Sequence, residues 1–136
     1  MKITSFNPLI ITPKADDTIA LFEALGFERK HTTESDTDVT AYTSVRMKNA
    51  DGFHVDITEN ARVPQTITAI RMNVDNLDEA YEFLKAHGFI NTMGDKVADN
   101  DSSRTAMMMS PSGFGISLNR HIGKEGWVHT MLGSWS

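Results

Sequence analysis

The chain has 136 residues, 40% of them hydrophobic, a formal net charge of −5 and no cysteine. That is one domain's worth, enough to bury a core, and the missing thiols exclude disulfides and thiolate metal sites. Basic residues do not cluster and no apolar run approaches the roughly twenty residues that span a bilayer, so neither nucleic acid nor membrane is an expected partner.

The first residues, Met1-Lys2-Ile3-Thr4, lack the apolar centre of a secretion signal and lead into a predicted strand over 5–12, so a cytoplasmic protein is expected. Pro8 has no N–H, which puts that strand at an edge or sends its neighbour's bond elsewhere. Thr12 followed by Pro13 suits the entrance to a helix over 16–25. A strand over 27–32, a polar turn over 33–38 and a strand over 39–47 follow. The Asp51-Gly52 pair then marks a hairpin, and a strand over 53–58 closes the first half.

Residues 59–65, with Pro64, read as a linker. The second half repeats the order: strand 67–74, helix 76–87, strand 89–93, a turn over 95–103, strand 104–109, the turn Ser110-Pro111-Ser112-Gly113 and strand 114–119. In its helix, Asp75 or Asn76 is placed to cap the first turn, and Leu77, Ala80, Tyr81 and Leu84 share one face. Asp78 and Glu79 suit the positive end, Lys85 and His87 the negative end, and Gly88 supplies a left-handed stop.

The halves align. Gly26-Phe27 lies on Gly88-Phe89 at an offset of 62, and Gly52-Phe53 on Gly113-Phe114 at an offset of 61. Two landmarks with nearly one offset indicate an internal duplication, two βαβββ modules over 5–58 and 67–119 followed by an extension over 120–136.

Two such modules, each with a helix ending in Gly-Phe (Leu25-Gly26-Phe27, His87-Gly88-Phe89) and a last hairpin of the Asp/Pro-x-Gly type (Pro111-Ser112-Gly113-Phe114), resemble the vicinal oxygen chelate superfamily. That group includes glyoxalase I, extradiol dioxygenases, and fosfomycin- and bleomycin-resistance proteins. The resemblance implies an α+β fold in which the modules curl a mixed sheet into a cup with the helices outside. It also implies a homodimer. Metal-using members hold a divalent ion at four places, which here are Asn7, Asp56, Ala69 and Ser117. Alanine has no donor atom and serine is a poor ligand, so no cofactor is expected. His54 shares a strand face with Asp56 and offers the alternative, a rearranged divalent-metal site with Asn7; otherwise it is a hydrogen-bonding residue of the lining.

Strand alternation assigns further lining residues: Leu9, Ile11, Tyr42, Ser44, Arg46, Thr58, Arg71, Asn73, Thr105, Met107, Gly115 and Asn119, with Val55, Ile57, Ile70, Met72 and Val74 facing the helices. Asn7, Tyr42, Arg46, His54, Asp56, Arg71, Asn73 and Ser117 form the candidate site. Such a lining fits a small organic molecule with an anionic or carbonyl group for Arg71, unless Arg71 only neutralises Asp56. Met107-Met108-Met109 cannot share one face and reads as packing. Trp127 and Trp135 in the extension suit the mouth of the cup, a second subunit or a sheet edge. Three functions follow: bleomycin-resistance-like sequestration without metal; a metal-dependent glyoxalase-type lyase, isomerase or dioxygenase around His54 and Asp56; or a module kept for protein contacts through the tryptophans.

Overall fold

The computed structural model describes residues 1–35, 42–92, 98–99 and 103–121. The expectations for Trp127 and Trp135 and for residues 39–41 lie outside these. The chain divides into two compact units, Asn7–Ala69 and Met1–Phe6 with the chain from Ile70 on.

Most of β1 (Ile3–Thr12) belongs to the first unit, with α1 (Asp16–Ala24), β2 (Glu28–Ser35), β3 (Tyr42–Lys48) and β4 (His54–Glu59). The strand order there is β2-β3-β4-β1. The hairpins β2–β3 and β3–β4 are antiparallel, whereas β1 pairs with β4 in parallel from Leu9↔Asp56 to Thr12↔Glu59. That parallel pairing begins one residue past Pro8, where no proline N–H is required. Val45, Met47, Val55 and Ile57 pack with Ala15 and Ile19 into one core, joined by Ile10, Phe22 and Phe27. Helix α1 starts after Pro13 but lacks a local side-chain cap. Instead Glu59, at the end of β4, accepts the Ala15 N–H at 2.9 Å, and a carboxylate suits that positive helix end. The β3–β4 turn is held by Asn49 Oδ1, which accepts the N–H groups of Asp51 and Phe53 at 3.1 and 2.8 Å.

The second unit carries β5 (Ile67–Val74) from Ile70 on, α2 (Leu77–Ala86), β6 (Ile90–Asn91), β7 (Ala98–Asp99), β8 (Ser103–Met109) and β9 (Gly115–His121). The order is β5-β9-β8-β6, with β7 also paired to β8. Asn76 caps α2 by accepting the Glu79 N–H at 3.0 Å. Leu77, Ala80 and Leu84 are buried against Met72, Val74, Ala106, Met108, Ile116 and Leu118. Burying one such leucine contributes about 1.5–3 kcal/mol, more than the cap's roughly 1 kcal/mol, so packing holds this helix and the cap sets where it starts. His87 Nδ1 lies 2.8 Å from the Phe83 carbonyl and its ring rests on Phe83, which finishes the last turn.

Two expectations need correction. The segment 95–103 is not only a turn: Ala98–Asp99 forms a short strand against Arg104 and Thr105. The strand expected over 27–32 does not stop there, and His31 lies inside it. Strand β2 runs on to Ser35, and a bulge between Arg29 and His31 brings His31 opposite Arg46.

Candidate functional site

In the first unit, alternation sorts the strands into two faces. Val45, Met47, Val55 and Ile57 go to the core with α1. Ser44, Arg46, His54, Asp56 and Thr58 therefore lie on the opposite face, with Asn7, Leu9 and Ile11 of β1 and His31 of β2. The register sets Arg46 across from Asp56 and Ser44 across from Thr58. Arg46 donates from Nε to Asp56 Oδ1 at 3.1 Å and from Nη2 to Oδ2 at 3.3 Å. Asn7 donates from Nδ2 to the same Oδ2 at 2.8 Å and to the Pro8 carbonyl at 2.9 Å. Asp56 is 1% exposed, and a carboxylate buried to that degree needs donors such as these around it. Alongside, Thr58 Oγ1 donates to Ser44 Oγ at 3.1 Å.

His54 stands two residues from Asp56 on the same face. Desolvation, with Arg46 and Lys48 nearby, holds its pKa below the ordinary 6.5, so it favours the neutral ring. Tyr42 begins β3, opposite Ser35 and half-buried.

In the second unit, Arg71 and Asn73 lie on the β5 face away from the core residues Met72 and Val74. Arg71 Nε is 3.4 Å from Asn73 Oδ1. Ser117 and Asn119 share the corresponding face of β9 and are buried. Thr105 donates to Asn119 Oδ1 at 2.7 Å, and Asn119 Nδ2 donates to the Ser117 carbonyl at 2.8 Å and its Oγ at 3.2 Å. Within the first unit the structure joins Asn7, Arg46 and Asp56, and within the second it sets Arg71 beside Asn73 and ties Ser117 to Asn119. The Arg46–Asp56 pair was not singled out from the sequence, although both residues lie five positions from Asp51, the centre of the hairpin.

Of the four places named from the resemblance, Asn7, Asp56 and Ala69 lie in the first unit and Ser117 in the second. Both Asp56 oxygens already accept protein N–H groups, Asn7 turns its amide nitrogen toward them, and Ala69 offers a buried methyl. Ser117 Oγ accepts from Asn119. Among the described residues no group of three or more His, Cys, Asp or Glu could hold a metal ion. A hollow of about 230 Å³ lined by Gly26, Glu28, Lys30, Lys48, Asn49 and Ala50 sits where β2 starts and β3 ends. It is rimmed by the exposed Lys30–Glu28 pair and holds none of the network above.

No family model and no curated protein sequence matches the chain. Solved structures do. Methylmalonyl-CoA epimerase from Mycobacterium tuberculosis superposes with a TM-score of 0.67 at 15% identity, over 92% of this chain and 93% of that one. A glyoxalase I from Zea mays gives 0.62 at 14% identity over 90% of this chain, which spans 44% of that longer protein. A glyoxalase/bleomycin resistance protein/dioxygenase superfamily member from Vibrio splendidus gives 0.56 at 14% identity, over 88% and 99%. The fold is the α+β vicinal oxygen chelate fold.

Proposed function

We propose that this chain binds a small organic molecule without a metal ion, on the face of residues 7–69 that points away from α1. The observation that carries the reading is the commitment of the Asp56 carboxylate to Arg46 and Asn7. It leaves a fixed polar group among apolar neighbours, Leu9 and Ile11, which is the usual make-up of a ligand site. The activity is then sequestration of the bleomycin-resistance kind, by a cytoplasmic homodimer. Taking the halves as copies of one module is supported by their turns: Gly26 and Gly88, and Gly52 and Gly113, all have φ of +90 to +100° at aligned positions.

The competing assignment is a metal-dependent glyoxalase-type lyase or a dioxygenase centred on His54 and Asp56, for which Asp56 would have to leave both donors. A fragment screen by thermal shift on chelator-treated protein tests the reading, because a ligand that binds only the native state raises its melting temperature. Hits whose stabilisation survives chelation and disappears in Arg46→Ala support it. Stabilisation that appears only with added metal refutes it.

A further inference from the structure

Building on that small-molecule reading, we propose that the bound molecule carries a carboxylate, received by the free edge of Arg46 and the hydroxyl of Ser44. The direction of the hydrogen bonds is the reason. A guanidinium presents five N–H donors in a rigid fork. Two of them go to Asp56, and the Arg46 side chain remains 21% exposed. Among the described residues no acceptor takes the other three. Ser44 Oγ accepts from Thr58, so its own proton is left to point elsewhere.

Arg46 and Ser44 stand two residues apart on β3, about 6.6 Å between Cα atoms. Both offer donors and both have their inward partners filled. A ligand on this face must therefore bring acceptor oxygens. Charge favours an anion. Asp56 faces Arg46 and Glu28 faces Lys30, and among the described residues no carboxylate is paired with Lys48, which lies on the same face of β3 as Arg46. A carboxylate matches the planar fork with two oxygens, whereas a neutral amide would turn an NH₂ group toward donors. Tyr42 and Ile11, half-buried on the same face, supply an apolar flank suited to a ring.

The test is an NMR titration of the full chain, labelled with ¹⁵N, using benzoate and benzamide as matched probes at constant pH and ionic strength. Saturable shifts of the Arg46 Nε–H and the Ser44 and Thr58 amides with benzoate, at least tenfold weaker with benzamide, support the proposal. Ser44→Ala leaves the Arg46–Asp56 pair intact, and losing one charge-assisted bond should weaken benzoate about tenfold. Arg46→Lys keeps the charge but loses the fork and should weaken it further; if that variant does not fold, Ser44→Ala decides. Benzamide binding at these signals as tightly as benzoate overturns the carboxylate assignment and leaves the small-molecule reading standing. No shift there from either probe overturns both.

Discussion

Arg46 and Asp56 face each other across the β3–β4 ladder and share two N–H···O contacts, at 3.1 and 3.3 Å, with the carboxylate 1% exposed. Bidentate pairing of this kind fixes both side chains and removes the carboxylate from other chemistry. Removing one partner strands a buried charge, which costs more than the pair gained by forming.

Asp56→Ala should therefore destabilise the fold by about 3–5 kcal/mol in urea denaturation, since Arg46 and Asn7 lose their common acceptor. Replacing both members, Arg46→Met with Asp56→Leu, should recover much of that loss. Additive effects in the double-mutant cycle would show that the two side chains do not interact.

The depressed pKa of His54 makes stability depend on pH in a stated direction. The native state resists protonating this ring, so the unfolded chain binds the extra proton first as pH falls below 6.5. The contribution is fully present above 6.5 and is lost as pH falls through the lower native value. Histidine NMR titration should place His54 below 6.5, and His54→Gln should flatten the stability profile on the acid side. A native value above 6.5 would mean that Asp56, and not desolvation with Arg46 and Lys48, governs the ring.

Gly26 and Gly88 occupy aligned turns but should respond differently to alanine. Gly26 has φ of +100° and open space where a Cβ would be, so Gly26→Ala pays only backbone strain of about 1–3 kcal/mol. At Gly88, φ is +90° and an added Cβ would lie 2.8 Å from Pro111 Cγ, so Gly88→Ala should cost more. Adding Pro111→Ala should remove the excess. Equal melting temperatures for the two single variants would show that Pro111 yields without cost.

Much of the fold was legible because period and punctuation agreed. The 3.6-residue spacing of Leu77, Ala80 and Leu84 and the stop at Gly88 mark α2 within one residue at each end. Alternation on β4 separates Val55 and Ile57 from His54 and Asp56, so the polar face could be read without knowing the partners. What could not be read was registry. A bulge after Arg29 shifts β2 and brings His31 opposite Arg46, and nothing in Glu28–Ser35 announces it. The cap on α1 was hidden for a related reason: Glu59 is 44 residues from Ala15. The pairing of Asp56 with Arg46 was within reach, by counting outward from the Asp51-Gly52 turn.

The most direct check on a metal-independent site is the melting temperature of chelator-treated protein, measured against increasing Zn²⁺, Ni²⁺ or Mn²⁺. With Asp56 held by Arg46 and Asn7, no saturable rise should occur, in the parent chain or in Asp56→Asn. A saturable rise in the parent that vanishes in Asp56→Asn would show that this carboxylate binds metal, and would contradict the account.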